Sequence, residues 1–353
     1  LLASRFSSEA AMRLLLPALL LATPLAAQTL TEQTSPVPGL LQAVSPVSES
    51  VAWVSGHRAA VLRTTDGGAT WEARRVTGAD STLQFRDIHA LSADVAWVMS
   101  AGPGEQSRIY HTRDGGATWA LQFTNADSAA FYDCLTFFDA RTGVAFSDAS
   151  HGRTNVLRTT DGGAHWALLP AEAVPAPLEG EGAFAASGGC VTSIDARHGW
   201  IVLGAPGARV WRTDDAGATW RSHDTPLVRG ASAGGAAATF RDARRGMVVG
   251  GDMGDYRADT AAAAVAVTDD GGESWRLVSR PGRPGTPFGV AWIPGAPGTA
   301  LIASPGGLSA TTDAGATWQT VDPGVFWSVG AAGRTAWAVG AQGRAGRIVR
   351  LAF

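Results

Sequence analysis

Lysine is absent from the chain: every one of its 28 basic residues is arginine, which excludes chemistry that runs through a lysine Schiff base. Positive charge is also not in excess. Against 31 acidic residues the formal net charge is −3, so the electrostatic footprint needed for nucleic acid or an anionic membrane surface is missing. Charged residues make up only 17% of the sequence. Cysteine is limited to Cys134 and Cys190, no Cys-x-x-Cys or His-x-x-x-His occurs, and the seven histidines are scattered. No metal site is expected from such spacing. Helical periodicity is lacking throughout, and no glycine-rich loop leads from a strand into a helix, so nucleotide cofactors have no expected site. No cofactor of any class is implied.

Long apolar runs are missing except near the beginning. There Met12-Arg13 precedes "LLLPALLLATPLAA", a stretch interrupted by Pro17 and Pro24 and ending in small residues. The pattern is that of a cleaved secretory signal and not of a membrane span. Residues 1–27 are therefore expected to be an upstream extension followed by a signal peptide starting at Met12, with cleavage near Ala27. No transmembrane segment is expected in the mature chain, which would be exported to a periplasmic or extracellular space. Residues 28–353 form the remaining unit.

What the sequence has in plenty is glycine, 44 residues of it, and a phrase that recurs. "RTTDGGATW" ends at Trp71, and variants of it end at Trp119, Trp166, Trp220, Trp275 and Trp318. The spacings between these tryptophans are 48, 47, 54, 55 and 43 residues, a period belonging to propellers or solenoids. Between the phrases the pattern is that of strands. "CLTFFDARTGVAFS" from Cys134 and "CVTSIDARHGWIVLG" from Cys190 each read as a hairpin closed by an Asp-Ala-Arg turn. A third strand enters the phrase and a fourth leaves it. Four short antiparallel strands per unit make a β-propeller blade, since radial closure removes exposed sheet edges. Six complete units and a partial one after Trp318 predict an all-β, seven-bladed β-propeller of four-stranded antiparallel blades. Its last blade would be completed by the strand after the signal, around "TLTEQTSPV" at 29–37.

Each phrase is either an active site or a fastener. The aspartate and glycines suit a tight turn in which the carboxylate accepts backbone N–H bonds and a glycine takes positive φ. The tryptophan would then bury its face against a neighbouring blade. Six equivalent carboxylates around a ring could not converge on one substrate, so Asp66, Asp114, Asp161, Asp215, Asp270 and Asp313, with their tryptophans, read as structural.

The phrase resembles the Asp-box, or bacterial neuraminidase (BNR), repeat. The longer pattern "F-x-D-A-x-x-G-W-x-V-G … R-T-x-D-G-G-x-x-W" resembles the photosystem II stability/assembly factor family, over essentially residues 38–353. That resemblance implies an exported, non-catalytic scaffold that binds a protein partner and helps assemble or stabilise a membrane complex. Asp-box propellers also include sialidases and other glycoside hydrolases, so the alternative is a carbohydrate-active propeller, lectin-like or hydrolytic. The Phe/Tyr-Arg-Ile-Pro signature of sialidases is absent, the nearest strings being "FRDI" at 85–88 and "FRDA" at 240–243. If the chain is an enzyme, a glycoside hydrolase is expected, with two carboxyls roughly 5 to 10 Å apart across a cleft.

Propeller ligands bind on the face opposite the boxes. Its longest loops, at 171–189 and 251–263, supply Glu179, Glu181, Asp252 and Asp255 as carboxylate candidates. Arginines at the open ends of third strands and in adjoining loops, namely Arg58, Arg108, Arg153, Arg209, Arg257, Arg344 and Arg347, could form a basic rim for acidic segments of a partner or for anionic glycans. Phe131, Tyr132 and Phe184 are candidate aromatic anchors. Cys134 and Cys190 stand at matching places on adjacent innermost strands, which invites a disulfide in an oxidising compartment. The bridge requires Cα atoms within about 7 Å, so a bonded pair and two buried thiols are both open.

Overall fold

The computed structural model describes residues 29–353, and the expected signal segment lies outside them. The described residues form seven antiparallel sheets of four strands each. Blades 1 to 6 occupy residues 41–73, 85–124, 132–168, 191–224, 233–277 and 289–322 in chain order, and within each the strands run outward from the axis. Blade 7 takes three strands from the C-terminal end of the chain, and its outer strand is Thr29–Gln33, paired antiparallel to Ala345–Ala352 with Thr29 opposite Ala352. The first and last strands of the described residues thus share one sheet and close the ring.

Each box is built in the same way. Thr64 Oγ1 donates to Asp66 Oδ1 at 2.9 Å and receives the Gly68 N–H at 2.8 Å, while Asp66 takes both the N–H and the hydroxyl of Thr70 at 2.9 and 2.6 Å. The pattern repeats at Asp114, Asp161, Asp215, Asp270 and Asp313, with His165 Nδ1 and Ser274 Oγ standing in for the last hydroxyl in two boxes. Three donors converge on each carboxylate. They hold Asp66, Asp114, Asp161 and Asp270 down to about 2. The second glycine of each box takes positive φ. At Gly68 φ is +83°, and a Cβ there would stand 2.1 Å from Gln33 Oε1. The first glycine position tolerates alanine, as Ala216 and Ala314 show at φ of 55° and 57°.

Box tryptophans are shared between blades. Trp119 of blade 2 meets Trp53 of blade 1 edge to face at 6.1 Å. Trp220 of blade 4 is 5% exposed and packs with Val144 and Phe146 of blade 3. Trp71 donates its indole N–H to Gln33 of blade 7 at 2.9 Å. The apolar core is accordingly a ring of clusters lying between blades, each containing residues of two neighbours. Closer to the axis, side chains stitch one innermost region to the next: Ala90 N–H donates to Ser45 Oγ, Thr136 meets Ser193 Oγ at 3.0 Å, and Trp292 N–H donates to Thr239 Oγ1.

Cys134 and Cys190 are joined as a disulfide across blades 3 and 4, with their Cα atoms 5.9 Å apart and both residues fully buried.

The long connection between blades 3 and 4 does not stay at the rim. Residues 183–189 cross the central axis as a plug. Ala185 O receives the Gln42 amide of blade 1 at 3.0 Å and Arg86 of blade 2 at 3.5 Å. Ser187 Oγ donates to Phe288 O of blade 6, and Ser187 O receives the Ser328 hydroxyl of blade 7. Ala183 N–H donates to Asp148 of blade 3, and Gly189 O receives the Ala238 N–H of blade 5. This plug divides the axial channel into a chamber of about 890 Å³ on the box side and a pocket of about 670 Å³ on the opposite side.

Candidate functional site

The pocket on the face away from the boxes originates in a defect of the innermost strands. In blades 1, 2, 3, 5 and 7 the pairing with the second strand skips one residue, leaving Gln42, Arg86, Asp133, Ala236 and Trp327 without a ladder partner. Such β-bulges re-aim a side chain. Four of the five bulged residues, all but Ala236, line the pocket. The plug residues Ala183–Ala186 form its floor.

Its walls differ in chemistry. On the side of blades 5 to 7, Tyr256, Phe288 and Trp327 form an aromatic cluster with ring centroids 4.8 to 5.8 Å apart. On the side of blades 1 to 3, the wall carries His57, Arg86, Asp133 and Asp148, with Phe131 and Phe184 beside them. His57 Nε2 and Gln42 Oε1 are 2.9 Å apart, and burial followed by the charge of Arg86 keeps the imidazole below its ordinary value. Arg86 donates to Gln84 Oε1 from Nε and one terminal nitrogen, at 3.1 and 2.7 Å. No carboxylate among the described residues comes within 4 Å of it. Asp133 and Asp148 stand side by side on the first two strands of blade 3; burial first, and then the neighbouring charge of Asp148, push Asp133 well up, and burial raises Asp148. Just behind the plug, burial pushes Asp87 up to about 8 against two backbone N–H donors, from Ile88 and Leu135, each at 2.7 Å.

These opposite shifts give a pH prediction. For the boxes the folded value lies below the unfolded one near 3.8, so their contribution is complete above that value and is lost as pH falls through about 2. For Asp87 the folded value lies above, so its contribution is present below about 3.8 and is lost as pH rises toward 8. The imidazoles of His89 and His111, lowered by burial to about 4, add stability as pH rises from about 4 to 6.5 and oppose Asp87 there, so the maximum in melting temperature is expected to be broad, between about pH 4 and 6.5, with a fall on both sides. A thermal series from pH 2 to 9 that rises steadily to pH 8 would contradict the assignment.

The residues singled out from sequence are distributed differently from the pocket. Glu181 is buried and held in a two-point ion pair by Arg209, with its Nε donating to Glu181 Oε1 at 2.7 Å, and it also accepts the Leu178 N–H. That carboxylate anchors the plug-bearing connection and is closed to a substrate. Glu179 and Asp255 are exposed, and Asp252 accepts the Ser232 hydroxyl and the Gly254 N–H within its own turn. None of these four lines the pocket. Of the arginines, Arg209 and Arg347 are neutralised by Glu181 and Asp322. Arg108 and Arg153 donate to the carbonyls of Glu105 and Leu169. Arg58 and Arg344 are exposed, and Arg257 lies over the Tyr256 ring at 5.5 Å. Arg58 and Arg257 thus adjoin pocket residues His57 and Tyr256 in sequence. Phe131 and Phe184 reach the pocket, whereas Tyr132 is buried against Phe123. Arg86, Asp133, Asp148 and Trp327 were not singled out, although the first two sit in "FRDIHA" and "YDCLTF" where the other repeats place Gln42 or Trp327.

Seven four-stranded blades, six Asp-box turns and an axial pocket opposite them define an Asp-box (BNR-repeat) β-propeller. Its fold is that of the YCF48 photosystem II assembly factors. The family profile described as "Photosynthesis system II assembly factor YCF48" matches residues 27–126. A structure of YCF48 bound to a D1 peptide superposes with a TM-score of 0.64 at 17% identity, covering 92% of this chain and 97% of that one. YCF48 from Cyanidioschyzon merolae gives 0.62 at 17% identity, over 92% and 98% of the two chains. The propeller U3-55K is also similar, with a TM-score of 0.59 at 12% identity over 92% and 98%. No curated protein matches the chain. Among the described residues no helix is long and apolar enough to cross a membrane, and no cluster of three or more metal-ligating side chains occurs.

Proposed function

We propose that this propeller is an exported, non-catalytic scaffold that docks a segment of a protein partner on the face away from the boxes, in the assembly or stabilisation of a membrane complex. The observation that carries the reading is the axial pocket itself: an aromatic wall facing a half-buried Arg86 that makes no ion pair within 4 Å among the described residues, with the exposed Arg58 and Arg257 next in sequence to the pocket residues His57 and Tyr256. Aromatic and arginine side chains around a concave, largely apolar centre are the composition of a protein-binding hot spot. A partner segment that inserts a bulky apolar side chain and carries acidic neighbours complements it. The similarity in fold to a propeller solved with a peptide bound supports the same reading. Export is supported by the disulfide, which persists in oxidising compartments, together with the signal-like N-terminus.

A hydrolytic role has less support. The two carboxyls that reach the pocket, Asp133 and Asp148, are buried neighbours on the first two strands of blade 3 and do not face each other across a cleft as a glycosidase pair does.

The test is photo-crosslinking of the whole protein, carrying a benzophenone amino acid at position 184, to membrane extracts, followed by titration of the crosslinked segment as a synthetic peptide. Arg86→Ala and Trp327→Ala are each expected to weaken binding by about tenfold or more, and Arg276→Ala on the outer wall to leave it unchanged. Equal affinity for all three variants would dismiss the pocket as the docking site.

A further inference from the structure

Several partly buried arginines at the pocket end of the propeller are held by carboxylates. Arg209 is paired with Glu181, Arg347 meets Asp322 at 2.8 Å, and Arg280 stands 4.0 Å from Asp259. Arg86 is held by an amide. Its Nε and one terminal nitrogen both donate to Gln84 Oε1, at 3.1 and 2.7 Å, and its other terminal nitrogen lies 3.5 Å from Ala185 O on the plug. A guanidinium has only donors, so the amide must turn its oxygen toward Arg86. The three contacts leave one N–H open on each terminal nitrogen, a pair that matches the two oxygens of a carboxylate.

Local structure fixes this arrangement. Gln84 is the last residue before the inner strand of blade 2, and its carbonyl accepts the Ala101 N–H at 3.2 Å. The bulge between Phe85 and Asp87 then turns Arg86 toward the axis. A half-buried cation without a counter-charge is costly. Glutamate at position 84 would reach the same two nitrogens and cancel the charge, as Glu181 does for Arg209; glutamine keeps the grip and leaves the charge. Asp133 is the acid acting on Arg86 from blade 3, but burial and the charge of Asp148 push its carboxyl well up, which weakens what it sets against the guanidinium.

We propose that Gln84 is a positioning residue of the docking pocket: it holds the Arg86 guanidinium by two hydrogen bonds without neutralising it, so that Arg86 receives an acidic side chain of the partner segment beside the segment's apolar anchor. This rests on the reading of the pocket given above and names the contact that makes it selective. A side chain is the source of the carboxylate, because the exposed Arg58 and Arg257 adjoin the pocket residues His57 and Tyr256. Three cations around one apolar centre suit several acidic side chains along a segment, whereas a chain terminus supplies one charge.

The probes are two acetylated and amidated dipeptides, 4-fluorophenylalanyl-aspartate and 4-fluorophenylalanyl-asparagine, titrated against the whole protein at pH 7 by fluorine NMR. They differ only in the charge of one side chain. Wild type is expected to prefer the aspartate probe by about tenfold or more, the scale of a hydrogen-bonded charge pair. Gln84→Glu is expected to bring the aspartate probe down to the affinity of the asparagine probe and to leave the latter unchanged. Its unfolding midpoint should stay level or rise, since the new carboxylate compensates Arg86; a merely structural residue would lose stability together with binding. Gln84→Met, which keeps bulk and charge balance but has no acceptor oxygen, is expected to lose most of the preference and serves should the glutamate variant not fold.

The proposal is overturned if wild type does not bind the probes or binds both equally, or if either Gln84 variant keeps the full preference. A third probe, the asparagine dipeptide with a free terminal carboxylate, is expected to bind no better than its amide; binding as tight as the aspartate probe would overturn the side-chain source. Failure of the pocket reading shows elsewhere, in the crosslinked segment: if that segment binds Trp327→Ala as well as wild type, the pocket is lost as the docking site, whereas equal binding of the two amidated probes removes only the role of Gln84 and Arg86.

Discussion

Trp220→Ala is expected to lower the free energy of unfolding by about 3 to 5 kcal/mol, the range for truncating a large buried aromatic side chain. Trp220 is 5% exposed, its indole N–H donates to Gly217 O at 3.2 Å, and its rings lie in the cluster that contains Val144 and Phe146 of the preceding blade. Truncation opens a cavity at a joint between two sheets. The plug connection is bound to the same point, because Trp220 N–H donates to Ala173 O. The contrast is Trp327→Ala, which removes a half-exposed ring from a pocket wall and is expected to cost affinity for a partner much more than stability. Chemical unfolding of the two variants side by side reads the difference. Equal midpoints would mean that box tryptophans are not what joins the blades.

Replacing both cysteines by alanine is expected to cost about 4 kcal/mol on the chain-entropy account of a loop this long. The bridge spans 56 residues and ties the innermost strands of blades 3 and 4 immediately after the plug, since Cys190 follows Gly189. Both sulfurs are fully buried, so the native protein is expected to resist added thiol and the loss to appear only in the double variant. The unfolding midpoint in denaturant, with the slope held constant, measures it. A shift of less than about 1 kcal/mol would place the stability of this joint in packing alone.

The box motif was legible because its requirements are local. Asp66 and its donors lie within six residues of one another, so the turn chemistry can be read from nine letters, and repetition at blade spacing then dictates a ring. The candidate site was legible only in part. Phe131 and Phe184 stood out as aromatics in connections, and both reach the pocket. Glu181 stood out as an acid in a long loop, but the loop dips inward and buries that carboxylate against Arg209. Arg86 and Asp133 sit in strands that look like ordinary alternating sequence, and the bulge that turns them toward the axis leaves no mark on the pattern.

By itself the sequence determined the repeated blade, the fastening turns and the number of units, because those follow from hydrogen bonds and glycine conformations spanning a few residues. Only the tertiary structure decided where the chain meets itself across the axis: that residues 183–189 plug the channel, that Cys134 and Cys190 come within bonding distance, and that Asp133 and Asp148 are buried side by side in the pocket wall. The reason is geometric. Seven sheets arranged radially bring their innermost strands together from positions as much as 285 residues apart, as between Gln42 and Trp327, and no local pattern encodes which side chains then face one another.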